Sequence, residues 1–288
     1  MTRNILTLTQ KIQIHPLFWF VIGISIITAH FTELLIVFMT VLIHELGHAC
    51  MAQFFHWRIK KIQLLPFGGV VELDEHGNRP LKEELLVILA GPFQHIWMIG
   101  VAFLFVKLQI ISAPIFELFI YHNLIILCFN LLPVWPLDGG KLLFLLYSLR
   151  MPFTKAHRSM MITSISVILV IIMFTFLFEP YHFNLWIIVL FLLVSLYTEW
   201  KQRSFVYVRF LMERYYGKYS KIEKLKPLLV EEGEQVIDVL GKFFRGYKHL
   251  IVITEGNKRR ELDENELLYE YFARKRTTSR VGDLTQEY

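Results

Sequence analysis

Apolar residues run through the first two thirds of the chain in six long blocks, at about residues 16–29, 34–55, 84–106, 115–132, 160–178 and 183–198. At about 1.5 Å of rise per residue, a helix of some 20 residues crosses the roughly 30 Å hydrocarbon core of a bilayer, and only the first block is short for that task. The pattern predicts a helical polytopic membrane protein of about six spans, with both termini on one side. Past residue 199 the pattern changes. Short strand-like runs around residues 228–230 and 249–254 alternate with helical patterns near 235–243 and 264–272, and Glu255-Gly256-Asn257 reads as a turn. The expected organisation is a transmembrane domain over residues 1–199, a linker over 200–222 and a small cytoplasmic α/β domain over 223–288.

Composition and charge sharpen this picture. With 55% hydrophobic residues and 25 phenylalanines, the chain is too apolar for an ordinary soluble protein. Of the 12 lysines and arginines before Glu199, all but Lys107 fall in segments on the side of the termini. The positive-inside rule then places both termini and the tail in the cytoplasm. The region after Met1 lacks the short apolar segment and small-residue cleavage site of a signal peptide, so the first block reads as an uncleaved anchor. The net charge of +5 does not point to nucleic acid, because basic residues beside spans serve topology and those of the tail are interspersed with acids. Cys50 and Cys128 lie within spans and are expected to pack rather than to ligate.

Chemistry enters in the second block, where His44-Glu45-x-x-His48 stands in an apolar run from Leu34 to Phe55. On a helix, His44 and His48 share a face one turn apart and can hold one Zn²⁺, with Glu45 beside them as a general base for an activated water. An ionised carboxylate in a span costs roughly 2.5 to 3.5 kcal/mol at the bilayer centre, which makes Glu45 a poor bystander. A third ligand is needed. The best intramembrane carboxylate is Asp138, in a stretch broken by Pro133, Pro136, Gly139 and Gly140. Such irregular backbone survives at membrane depth where protein or a water-filled cavity supports it. Asp138 reads either as that ligand or as the N-cap of a helix beginning at Gly139. Between the second and third blocks, residues 59–73 read as an extended hairpin at the cytoplasmic interface. Its exposed edge would hold a scissile peptide as an added strand, with Phe67, Gly68, Gly69 and Val70 as substrate-binding candidates. The alternative is an amphipathic interfacial segment with no substrate role. The segment from Phe205 to Lys218, rich in Tyr and Arg, links the bundle to the tail and reads as a membrane-surface anchor, the alternative being a direct grip on substrate.

The span-embedded His44-Glu45-x-x-His48, followed in a later span by Asn130-Leu-Leu-Pro133-x-x-Pro136-Leu-Asp138-Gly139-Gly140, resembles the paired motifs of the site-2 proteases, a family of intramembrane zinc metalloproteases. The resemblance implies that His44, His48 and Asp138 bind zinc, that Glu45 is the general base and that Asn130 positions substrate or loop. Leu65-Pro66-Phe67-Gly68-Gly69, residues 75–80 and residues 209–218 are similar to the sporulation branch of that family. That likeness implies a substrate, the membrane-associated proprotein of the late mother-cell sigma factor. It also implies two partners, an inhibitory and a scaffold membrane protein of sporulation, and a location in the membrane around the forespore facing the mother-cell cytoplasm. One position departs from the family pattern. Where many members carry Gly-Pro-x-x-Asn, this chain has Gly91-Pro92-Phe93-Gln94-His95, so His95 stands at the Asn position. It would hydrogen-bond substrate, tune the site or pair within the bundle; Gly91-Pro92 reads as a kink or a close helix contact.

The tail resembles one cystathionine-beta-synthase repeat. A single copy implies pairing between chains, hence a homo-oligomer, and the family association makes ATP a candidate regulatory ligand. The usual ribose-contacting stretch is replaced here by Leu262-Asp263-Glu264-Asn265, where Asp263 is either a ribose contact or a helix N-cap. Two other readings of the whole chain remain open on sequence alone: a metal-transporting membrane protein, in which Glu45 would be incidental, and a catalytically silent membrane scaffold.

Overall fold

The computed structural model of the chain describes residues 11–14, 16–28, 30–65, 68–73, 79–217, 224–255 and 258–284. The elements in order are β1 (Ile12–Ile14), α1 (Pro16–Ile27), α2 (Phe31–Phe54), β2 (Ile59–Leu65), β3 (Gly68–Leu73), α3 (Leu81–Lys107), α4 (Ala113–Asn130) and α5 (Asp138–Arg150). They continue with α6 (Phe153–Phe178), α7 (Phe183–Tyr216), β4 (Leu225–Glu231), α8 (Val236–Leu240), β5 (Lys248–Glu255), β6 (Lys258–Asp263), α9 (Glu264–Phe272) and α10 (Val281–Leu284).

Among the described residues five helices, α2, α3, α4, α6 and α7, are long and apolar enough to cross a membrane. The expected first span corresponds to α1, whose 12 residues reach only about 18 Å at helical rise. A sixth full-length crossing is therefore not present among them. Helix α7 carries the chain without a break from apolar residues into the aromatic-basic segment and ends at Tyr216. Two compact units divide the chain: one gathers the described residues of 1–75, 82–142 and 167–193, the other those of 76–81, 143–166 and 194–288.

In the first unit, α2 ends where His56 takes a positive φ of 58°. Its amide and that of Trp57 donate back to Gln53 O and Ala52 O, which closes the helix and turns the chain into β2. Strand β2 is central in a sheet of order β1-β2-β3, parallel to β1 and antiparallel to β3. The hairpin expected from sequence is thus joined by a short N-terminal strand that was not foreseen. Ala49 and Ala52 of α2 pack with Trp57, Ile59, Ile62 and Val87, and Val71 of β3 packs against that cluster. Small residues on α2 let the sheet lie close above the turn that carries the His/Glu motif. Cys50 and Cys128 are free and exposed on their helices, so neither packs internally as expected; a thiol is apolar enough to stand on an outer helix face.

In the second unit, Phe153 stacks on Phe210 at 4.2 Å between ring centroids, and His157 of α6 meets Glu199 of α7 at 2.9 Å. The C-terminal module is a sheet of order β4-β5-β6 around a core of Val230, Val239, Leu240, Ile251, Ile253, Leu267 and Leu268. Strands β4 and β5 are parallel and joined through α8, while β5 and β6 form an antiparallel hairpin. Strand β6, Lys-Arg-Arg-Glu-Leu-Asp, escaped the sequence reading because it has no alternating apolar face. Arg214 near the end of α7 ties into this module. It grips Glu264 with two bonds of 2.6 and 2.7 Å and donates to the carbonyls of Phe244 and Tyr247. Asp263 is the N-cap of α9 within a capping box shared with Glu266, and its other oxygen accepts from Lys248 at 2.8 Å. Of the two roles open to Asp263, the structure shows the cap.

Candidate metal centre

The spacing of the motif sets the first half of the site. One turn apart on the buried face of α2, His44 and His48 bring their Nε2 atoms to 3.1 Å. The second half depends on how the chain returns after α4. Leu137 N–H donates to Val134 O at 2.9 Å, and the loop folds back over the first turn of α5. A Cβ on Gly139 would lie 2.2 Å from Leu131 O, and one on Gly140 would lie 2.5 Å from the Val134 carbonyl carbon. Both positions therefore require glycine. This turn starts α5 at Asp138 and places its Oδ2 3.0 Å from both imidazole Nε2 atoms.

These three atoms suit a metal. His48 Nδ1 lies 2.8 Å from Val87 O, and a carbonyl only accepts, so Nδ1 carries the proton and Nε2 presents its lone pair inward. Tetrahedral zinc with bonds near 2.0–2.1 Å separates its ligand atoms by about 3.3 Å. The observed 3.0–3.1 Å separations need to widen by only a few tenths of an ångström to admit it. Two imidazoles and a carboxylate, all buried, form the one set of at least three His, Cys, Asp or Glu side chains among the described residues with donor atoms close enough to share an ion. Asp138 Oδ1 accepts from Lys141 at 3.1 Å, which orients the carboxylate with Oδ2 toward the histidines.

Glu45 is buried and sits under β3. A Cβ on Gly69 would lie 2.3 Å from Glu45 Cγ and 2.8 Å from its Oε1, so the strand backbone rests on the carboxylate side chain. Gly68 pairs with Leu65 and Val70 with Gln63 in the hairpin ladder; Phe67 lies outside the described residues. Asn130 closes α4 and donates from Nδ2 to Ile126 O at 3.0 Å.

Three further residues bear on the site. Gly91 of α3 backs directly onto the imidazoles, since a Cβ there would lie 2.2 Å from His48 Nε2 and 2.8 Å from His44 Cε1. This gives the close-contact reading of Gly91-Pro92 a specific meaning. His95, one turn on, places Nε2 3.0 Å from His44 Nδ1, and its own Nδ1 meets Asn123 Oδ1 of α4 at 3.0 Å. Sequence reasoning left His95 open and passed over Asn123, although a lone amide in an apolar span is the kind of signal that marks a site.

The sequence profile of peptidase family M50 matches residues 32–112 and 107–173, the region that supplies every residue of this cluster. The chain is also 50% identical over 284 residues to stage IV sporulation protein FB of Bacillus subtilis, covering 98% of this chain and 99% of that one. The chain belongs to peptidase family M50. A zinc metalloprotease of Methanocaldococcus jannaschii matches over a shorter stretch, 34% identical over 128 residues, 43% of this chain and 37% of its own. The site-2 protease structure from that archaeon is similar with a TM-score of 0.53 and 28% identity, over 65% of this chain and 89% of its own. As an M50 peptidase with five long apolar helices, this is a multi-pass membrane protein and a zinc metalloprotease of the site-2 type. The transporter and silent-scaffold alternatives fall with that assignment.

Proposed function

We propose that the chain hydrolyses a peptide bond of a membrane-associated proprotein inside the bilayer, with His44, His48 and Asp138 holding one Zn²⁺ and Glu45 as general base. The observation that carries this reading is the meeting of His44 Nε2, His48 Nε2 and Asp138 Oδ2 at 3.0–3.1 Å in apolar helices, with Glu45 next to His44 in sequence. Zinc bound there supplies a Lewis acid that polarises the scissile carbonyl and makes water a nucleophile near neutral pH. Glu45 takes the proton from that water and returns it to the leaving amine. Lys141 holds Asp138 in place through its Oδ1. The sheet order leaves β3 at an edge, and a substrate strand laid there would satisfy its backbone groups in a region without bulk water. Gly68, Gly69 and Val70, with Phe67 next to them in sequence, form that receiving edge, and Asn130 positions substrate or loop.

The relative at 50% identity is named for stage IV of sporulation, which supports the sigma-factor proprotein as substrate and inhibitory and scaffold membrane proteins as partners. In this reading the transmembrane domain occupies residues 1–199 and α1 completes a thin sixth crossing, so that both termini face the mother-cell cytoplasm across the membrane around the forespore. The linker of residues 200–222 then leads to a cystathionine-beta-synthase-like domain at 223–288 that pairs between chains. ATP as its ligand would have to be held without the Asp263 carboxylate, which is already engaged at both oxygens.

Co-production with the sigma-factor proprotein in a host without sporulation proteins tests the substrate. A shortened product from wild type and none from Glu45→Gln is expected. Zinc-loaded, folded wild type that leaves the proprotein intact while cleaving other membrane segments would overturn this substrate choice.

A further inference from the structure

Three successive membrane helices are joined by a row of buried polar side chains, of which the hydrolytic step uses only the first, His44. His44 on α2 meets His95 on α3, and His95 meets Asn123 on α4, each link being 3.0 Å. His95 and Asn123 are completely buried, both at 0% exposure. Polar groups in such surroundings cost stability unless their bonds are made, so the direction of each proton matters. Asn123 Oδ1 only accepts. His95 Nδ1 must therefore carry a hydrogen, which leaves His95 Nε2 as a bare lone pair. That lone pair accepts from Nδ1–H of His44, and the lone pair of His44 Nε2 is then the one that faces Asp138 and His48. A reversed amide at Asn123 would run every proton the other way and put a hydrogen on His44 Nε2, between the three donor atoms.

The two histidines differ in how they are held. His48 is fixed by a main-chain acceptor, Val87 O, which any residue at position 87 would supply. His44 relies on side chains from two other helices. The amide orientation that serves His44 leaves Asn123 Nδ2 without a hydrogen-bond partner among the described residues, so Asn123 is not placed there for the stability of the fold.

We propose that His95 and Asn123 are positioning residues for the metalloprotease reaction, holding His44 as its Nδ1–H tautomer with Nε2 turned to the metal. This rests on the reading of His44, His48 and Asp138 as zinc ligands. Outer partners of this kind typically change metal affinity by about 10- to 100-fold. His95→Phe keeps the ring and removes the acceptor; His95→Gln restores an acceptor near the former Nε2 and a donor toward Asn123.

The experiment is chelator competition for Zn²⁺ on the full chain in detergent, with helicity and thermal unfolding of the zinc-free protein followed in parallel. The expected result is zinc binding weakened about 10- to 100-fold in His95→Phe and within about threefold of wild type in His95→Gln, with the helicity of the zinc-free protein unchanged in both. The visible spectrum of Co²⁺-loaded protein should shift in the Phe variant and return in the Gln variant. Zinc affinity of His95→Phe within about threefold of wild type would overturn the proposal while leaving the ligand set intact. Wild type that binds no zinc would overturn both. If His95→Phe does not fold, Asn123→Leu and Asn123→Asp decide: loss of affinity with Leu and retention with Asp supports the relay, and equal affinities overturn it.

Discussion

Replacing Gly91 by alanine adds one methyl group to α3 at the back of the metal centre. That methyl would lie 2.2 Å from His48 Nε2 and 2.4 Å from His48 Cε1, where ordinary contact begins at 3.4 Å. The conflict is therefore about 1.2 Å deep, and a metal site tolerates displacements of only about 0.2 Å in its bonds. Overpacking in a close-packed interior costs about 1–3 kcal/mol. Because the atom in conflict is the proposed ligand nitrogen itself, the upper end applies, and about 3 kcal/mol corresponds to roughly 100-fold weaker zinc binding. The same helix supplies its own control. A Cβ on Gly100 meets nothing within 4 Å, so Gly100→Ala should alter affinity by less than about threefold. Chelator competition on the solubilised chain measures both, and circular dichroism checks that the helices persist. Equal zinc affinity in Gly91→Ala and Gly100→Ala would refute the packing of α3 against the imidazoles and, with it, the geometry assigned to His44 and His48.

Other perturbations reach different parts of the molecule. Gly69→Ala pushes a methyl into Glu45, 2.3 Å from its Cγ, and should lower proteolysis by about tenfold or more while one zinc per chain is retained; metal analysis beside a cleavage assay separates the two. Arg214→Ala leaves Glu264 as an unpaired buried charge and should destabilise the C-terminal module by about 3–5 kcal/mol. Hydrogen exchange of β5 and α9 amides reads the change, and unchanged protection would show that the clamp is incidental. Acid should loosen the same module. Burial lowers the His249 imidazole below 6.5, and its Nε2 is occupied by the Phe244 N–H at 3.1 Å. Burial alone would raise Glu264, but the hydrogen bonds from His249 and the charge of Arg214 outweigh it and hold the carboxylate below 4.5. Both folded values are depressed, so the unfolded chain binds more protons as pH falls. The contribution of His249 is complete above pH 6.5 and declines below it, and that of Glu264 declines below pH 4.5. Exchange protection at pH 5.5 should be weaker than at pH 7.5 after correction for intrinsic rates, and equal protection would contradict the assignment.

What could be read without coordinates follows from the range of each interaction. His44, Glu45 and His48 are linked by the helical period, which is local, and Asp138 is announced by prolines and glycines that only a supported turn tolerates. The 59–73 hairpin and, in the tail, β4 and α9 also carry local patterns. By contrast, Gly69, Gly91 and Asn123 matter through what lies across a helix or sheet contact, and nothing near them in sequence specifies the neighbour. His95 was visible as an odd histidine in a span, but its role depends on Asn123, 28 positions away. Strand β1 is only three residues long and is defined by its pairing with β2 rather than by its own composition. The first apolar block, read at about residues 16–29 and short for a span, forms a helix of 12 residues at Pro16–Ile27, since the extent of an apolar run is itself a local property.

The most direct test of the account is metal analysis and proteolysis on the purified full chain in lipid, comparing wild type with Glu45→Gln. One zinc per chain in both, with cleavage of a membrane-embedded peptide bond only by wild type, is the expected result, since the loss of a general base costs about 10²- to 10⁴-fold. Zinc-free wild type that still cleaves, or a Gln variant as active as wild type, would contradict it.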